Sequence, residues 1–393
     1  MVLAHGIGGV DGLPLDGELV LQAGGAVVLV SFVAVALLWK QPRFAVTPRP
    51  WNEPGWFAVP RAIVLVVTTA VIVVGFVGPQ DPDANPAPRA LYVLFWVGIV
   101  PVSLLFGPVW RALNPLRLLH RVLAAALRLP REGSRSPDGL GHWPAAAGML
   151  AFVWLELVAP AGERPAVVAG FVTGYAVAHT VAASVFGERW FDRADSFEAY
   201  STLTGTLAPL GPGGFRNPFR VLAAVEPAPG LVAFLAVWWG STVFDGLTGW
   251  VGWASVRTPL LDTAVLLLLV ALVAGLYVAA TRELAGPLAT TLVPIAVGYT
   301  LAHYFTLLLV EGPRGITQLV GGELGPITAV PAPVLVASVQ IGAVLAGHIV
   351  AVVAAHDRSV ALLPEHRRLA DQVPLVLLMV VYTMAGLFLL VIS

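Results

Sequence analysis

The chain has 393 residues, of which 58% are hydrophobic and 11% charged, with a formal net charge of −1. A soluble domain carries about 25% charged residues, so there is too little polar surface here for a water-soluble globule. The near-zero charge gives no electrostatic case for nucleic acid as a partner. With no Cys, disulfides, thiolate metal sites, iron–sulfur clusters and cysteine nucleophiles are excluded. The mean hydropathy of +0.84 points to a multi-pass membrane protein.

A membrane-crossing helix needs about 20 apolar residues. Segments of that kind fall at roughly 19–39, 62–78, 90–110, 143–160, 165–187, 229–249, 259–280, 287–311, 334–355 and 373–392. The expected fold is therefore an all-α integral membrane protein, one polytopic domain over 1–393 with about ten transmembrane helices. Placing the N-terminus outside leaves only Arg89, Arg164, Arg257 and Arg314 on the outer side, with Lys40 and the other arginines inside. That asymmetry predicts an N-out, C-out protein of the bacterial inner membrane. An external, Gly-rich segment over 1–18 precedes the first span, with His5 and Asp11 placed to fold over an outer mouth.

The 111–142 loop is expected to be cytoplasmic. Within it, 114–129 is too short and too basic to span, and Arg117, Arg121 and Arg128 share one face of a helical wheel with His120 beside them. It reads as an amphipathic helix lying on the inner leaflet. The 188–228 segment is cytoplasmic or re-entrant, and its run Glu188, Asp192, Arg193, Asp195 and Glu198 reads as a solvated surface. His120, His142 and His366 are expected to be solvent-exposed.

Two phrases recur. Gly174-Tyr175-Ala-Val-Ala-His179 in the fifth span matches Gly298-Tyr299-Thr-Leu-Ala-His303 in the eighth, and Asn114-Pro-Leu-Arg117 matches Asn217-Pro-Phe-Arg220. The fifth and eighth spans run in opposite directions, as an inverted repeat would; chance recurrence of common residues is the alternative.

Ionisable residues inside spans are costly and mark cavities or partners. Counting about 1.5 Å per residue from the span ends puts His179 and His348 roughly 12 Å, and His303 roughly 18 Å, from the inner edge. Glu156 and Asp245 lie one layer further out. Three imidazoles with one or two carboxylates at that depth suit a divalent Zn, Mn or Fe ion. A proton or ion path and neutral, hydrogen-bonded structural histidines are the other readings, and haem ligation is the least favoured. On the metal reading His179, His303 and His348 bind the ion. Asp245 or Glu156 completes the shell or acts as general base, and Tyr299 or Tyr175 donates to a developing oxyanion. A serine-hydrolase elbow, a His-Glu-x-x-His zinc motif and a Walker sequence are all missing.

Several stretches together resemble a family of bacterial polytopic membrane proteins, frequent in actinobacteria, labelled fenitrothion hydrolase-like. They are AHGIGGVDGLPL (4–15), FDGLTGW (244–250), LVPIAVGYTLAHYFTLLLVEG (292–312), GHIVAVVAAHDR (347–358) and QVPLVLLMVVYTMAGLFLL (372–390). The resemblance implies hydrolysis of an organophosphate triester, and brings no catalytic residues with it. Two functions are therefore carried forward. One is a metal-dependent hydrolase of lipophilic esters working within the bilayer. The alternative is an ion-coupled permease using the same residues as a proton or ion path. Either implies the lipid bilayer and a small lipophilic molecule or ion as partners.

Overall fold

The computed structural model describes residues 17–44, 55–130, 132–211, 214–322, 324–325 and 331–392. His5, Asp11 and most of the Gly-rich opening lie outside them. Twelve principal helices follow in chain order: α1 (Gly17–Leu38), α2 (Ala58–Val77), α3 (Pro86–Phe106), α4 (Pro115–Leu127), α5 (Trp143–Leu157) and α6 (Pro165–Phe186). They continue as α7 (Ser196–Thr204), α8 (Leu231–Thr248), α9 (Pro259–Thr281), α10 (Val293–Leu319), α11 (Pro333–Leu362) and α12 (Arg368–Ile392). Among the described residues the only strands are Leu210–Gly211 and Gly214–Phe215, one short antiparallel pair. Among the described residues, eight helical stretches are long and apolar enough to cross a membrane. One of them, Pro259–Leu319, contains α9 and α10 and a broken connection of short turns between them. The protein is thus an all-α, multi-pass membrane protein.

Each of the ten predicted apolar segments is helical, with bounds that shift by several residues, and two of the shifts bear on the site. α5 stops at Leu157, where an extension to 160 was expected. Its 15 residues rise about 22 Å, less than the ~30 Å of a hydrocarbon core. α10 runs to Leu319 instead of ending at 311. Pro313 is carried inside the helix. Glu311, placed at a helix end by sequence, is instead an interior residue, and it pairs with Arg89 (2.7 Å) and Arg314 (2.6 Å).

α3 is irregular. Asn85 caps it by accepting from the Ala87 N–H, and Arg89–Val97 then adopts the wider π-helical winding. Such segments are rare and concentrate where a helix must shift register around a site. Arg89 opens this one, buried between Glu311 and Asp83 (2.7 Å each).

Close helix crossings depend on glycine where a side chain would strike backbone. At the α10–α11 crossing a Cβ on Gly298 would collide with the Ala343 carbonyl, and one on Gly347 with the Pro294 carbonyl. Small residues of this kind let membrane helices pack by van der Waals contact, since apolar burial gives no driving force against lipid.

One end of the bundle carries α4, α7 and the chain after α1. Here the structure departs from expectation. Two of the three stripe arginines of α4 face the protein, since Arg121 forks onto Glu188 (2.8 and 2.7 Å) and Arg117 is buried against Glu198 and Asp192, whereas Arg128 is exposed. The apolar side of α4, including Val122 and Leu127, is the exposed one. The 188–198 run is not a solvated surface, because Asp195 and Glu198 are both fully buried. Asp195 caps α7 by accepting from the Phe197 and Glu198 N–H groups, and Asn114 donates to both carboxylates at 2.9 Å. α7 is thereby driven into the bundle, with Phe197, Tyr200 and Leu203 packed in the core. His120 and His142 are buried rather than exposed, while His366 is exposed as expected.

Candidate functional site

The sequence-predicted residues fall into three separate places. Asp245, from the last turns of α8, meets two consecutive side chains of α10. His303 Nε2 lies 2.9 Å from Asp245 Oδ2, and the Tyr304 hydroxyl donates to the same oxygen at 2.7 Å. Consecutive residues on a helix are about 100° apart, so His303 and Tyr304 flank the carboxylate from two sides. Among the described residues His303 Nδ1 takes no hydrogen bond. Asp245 and His303 are both buried.

Glu156, near the end of α5, stands beside this group. Its carboxylate interacts electrostatically with Asp245 and with Tyr304, and among the described residues its buried Oε2 has no hydrogen-bond partner. Glu156 also lines a cavity of about 310 Å³ on the face opposite α4. That cavity occupies the space left where α5 stops short, since Leu157, Val158 and Pro160 form part of its wall. Thr248 and Leu307 line it too. They lie one helical turn, about 5 Å, beyond Asp245 and beyond His303/Tyr304. At its mouth Arg257 holds Asp262 (2.9 Å), and Glu163 is free of such a pairing among the described residues. The arrangement is a polar vestibule with a glutamate in its floor and an Asp–His–Tyr group behind it.

Below the group the bundle is closed by aromatic rings. The Tyr299 ring stacks parallel to His303 (5.8 Å, 11°), and Trp239 meets it edge-on at 5.3 Å. Tyr299, expected to act as a donor, points its hydroxyl at the Gly246 backbone, where a Cβ would lie 3.1 Å away, and makes no hydrogen bond. Tyr200 of α7 stacks on Trp96 (4.4 Å) and meets Trp238 at 4.5 Å; its hydroxyl faces Thr300 and lies within electrostatic reach of Glu156.

His179 belongs to a second place, at the α4 end. Its Nδ1 accepts from Trp190 Nε1 at 3.0 Å, and its ring lies 4.1 Å from that of Tyr175. Tyr175 donates to Asp195 at 2.7 Å. The two Gly-Tyr-x-x-Ala-His phrases therefore share a local design, a Tyr/His pair one turn apart set against a carboxylate from another element. In the first phrase the tyrosine touches the acid; in the second the histidine does.

His348 is in a third place, fully buried on α11. Its Nδ1 is 2.9 Å from the Val344 carbonyl one turn back, and its Nε2 has no partner. Thus Asp245, Glu156 and His303 are brought together, whereas His179 and His348 stand apart from them. Among the described residues no three His, Asp or Glu side chains are grouped to hold a metal ion. The donors at the vestibule are one imidazole and two carboxylates, one of them already engaged by His303 and Tyr304, and that set does not fit a three-histidine metal centre.

Sequence reasoning missed Tyr304, which has no spacing signal of its own. It also missed the Asn114–Arg117–Asp195–Glu198 network. A signal for that network was present, because Asp195-Ser-Phe-Glu198 is a helix-capping pattern and Asn114-Pro115 starts α4 in the same way.

Two histidines outside the spans have displaced titrations. Burial, reinforced by Arg193, pushes His142 down to about 4. Burial also lowers the pKa of His120, whose ring nitrogens are both without hydrogen bonds. Compared with known proteins, the chain matches no family model, no curated protein and no solved structure.

Proposed function

We propose that the chain is a ten-span, N-out protein of the bacterial cytoplasmic membrane that works as an ion-coupled permease. In this reading α5 crosses despite its 15 residues, α9 and α10 cross separately, and the vestibule opens outward. The Lys/Arg asymmetry supports that orientation, since it puts α4 and α7 on the inner side.

One observation carries the proposal: Glu156, Asp245 and His303 line up from the vestibule floor into the bundle, with Glu156 Oε2 unpaired. Ionisable groups at such depth are costly and mark ion pathways. A proton arriving from the vestibule reaches Glu156, passes to Asp245, and is taken up at His303 Nε2. His303 can release one from Nδ1, because imidazole carries protons on either nitrogen. Tyr304 holds Asp245 in place throughout. The π segment in α3, the interrupted α9–α10 connection and the inserted α7 agree with a carrier, whose sites are commonly built from discontinuous helices. The aromatic closure under His303 then corresponds to an outward-facing state.

A second reading keeps the hydrolase expected from the resemblance, with Asp245 orienting His303 as general base. The free Nδ1 of His303 favours it. Both readings use one purified preparation reconstituted in proteoliposomes holding a pH-sensitive dye. A pH gradient imposed across the vesicles should be dissipated by the unmodified protein and maintained by Asp245→Asn. Hydrolysis of a chromogenic phosphotriester, with no proton flux and dependence on His303, would transfer the assignment to the enzyme.

A further inference from the structure

A second cavity, of about 360 Å³, lies between α2, α3 and α6. Its walls are apolar almost throughout, with Val64, Val67, Leu94, Phe95, Val172 and Phe197 representative of the lining. It follows α3 from Ala87 to Val102, a rise of about 20 Å. A cavity of that volume and length is a narrow slot, shaped for an extended chain and not for a compact ring system.

Its surroundings identify the medium it opens to. α2 forms the outer wall and turns Ile63, Val66 and Val73 outward as exposed apolar side chains. At its α4 end the slot reaches Leu113, Pro115 and Leu116. That is the level of the interfacial helix, where Arg111 is held by Asp192 at 3.0 Å. One leaflet of hydrocarbon is about 15 Å deep, half of a ~30 Å core. The slot therefore accommodates a chain that begins at the headgroup level beside α4 and runs through one leaflet.

We infer that this slot binds an acyl chain of a bilayer phospholipid, with the headgroup at the α4 end. The chain would lie along the π segment of α3, because Ala90, Leu91, Leu94 and Phe95 line the slot while Tyr92 and Val93 line the vestibule. One irregular turn of helix is thus the partition between the lipid slot and the polar vestibule. The inference rests on the membrane placement alone, so it stands or falls separately from the proton path.

The test uses the full chain in nanodiscs containing a phospholipid with a diazirine near the end of one acyl chain. Photolysis and peptide mapping should place the label on slot residues such as Val67, Leu94 and Val172. Labelling there should exceed that of Leu268 and Leu272, exposed residues of α9. Ala90→Phe, which fills the slot, should reduce slot labelling to the α9 level. Leu94→Ala, which widens it, should retain the labelling and guards against misfolding of the filled variant. A parallel arm carries the same diazirine on a free long-chain alkane. Slot labelling by the alkane alone, labelling that merely follows exposure, or labelling unchanged by Ala90→Phe would each overturn the inference.

Discussion

Asp245 and His303 lie 2.9 Å apart across the α8–α10 interface, and Tyr304 adds a second bond to the same carboxylate oxygen at 2.7 Å. A carboxylate in this position holds its histidine in one orientation, with one ring nitrogen on Asp245 and the far nitrogen left to exchange protons. Glu156 supplies the connection to the vestibule, and its unpaired oxygen is the group most exposed to a change in protonation. Glu156→Gln should therefore slow proton uptake from the outer side while leaving the fold intact. Stopped-flow dye measurements on proteoliposomes read this directly, and an unchanged uptake rate would remove Glu156 from the path.

Arg117 is a structural counterpart at the other end of the bundle. Burial works against its charge, yet Glu198 and Asp192 outweigh that effect and raise its pKa. Removing one partner of a buried pair costs about 3–5 kcal/mol. Arg117→Met should lower the thermal midpoint in detergent sharply, and adding Glu198→Leu should restore part of it. A double variant as unstable as the single one would show that the pair does not act as a unit.

His142 gives a pH dependence with a defined sign. Its pKa in the fold is about 4, below the ~6.5 of an unfolded histidine. The unfolded chain therefore binds the extra proton first as pH falls. The stability associated with neutral His142 is complete above about 6.5 and is lost progressively down to about 4, about 3.5 kcal/mol at about 1.4 kcal/mol per pH unit. His142→Phe, packing on Phe234 in its place, should flatten the melting curve between pH 7 and 5. Equal pH slopes for the two proteins would assign the effect to another group.

The α10–α11 crossing makes a steric prediction. Gly298→Val places methyl groups against the Ala343 carbonyl, and overpacking of this kind costs about 1–3 kcal/mol. Gly174→Val, at the matching position of the other phrase, has open space around its Cβ and should be far milder. Melting temperatures of the two variants in the same detergent decide it.

The apolar helical segments were legible because hydropathy is a one-dimensional property. Which side chains meet laterally was not. His179, His303 and His348 share a depth by counting residues, yet His303 meets Asp245, His179 meets Trp190 and His348 meets a carbonyl of its own helix, and nothing in their spacing encodes rotation about the helix axis. Asp195 and Glu198 read as solvated because charge runs usually are; Asn114 and Arg117, some eighty residues earlier, are what allow them to be buried. The π segment left no trace, since its residues are as apolar as those of an ordinary span. The end set at 311 fell short because a helix held by Arg89 and Glu311 continues through Pro313 to Leu319.

The most direct test of the Asp245–His303 relationship is the protonation of that imidazole itself. ¹⁵N solid-state NMR of the histidine-labelled protein in lipid, with His303→Gln used to assign the signal, reports which ring nitrogen carries a proton. The His303 ring nitrogen that faces Asp245 should carry a signal displaced by that contact, and Asp245→Asn should change it. A His303 signal indifferent to Asp245→Asn would contradict the account.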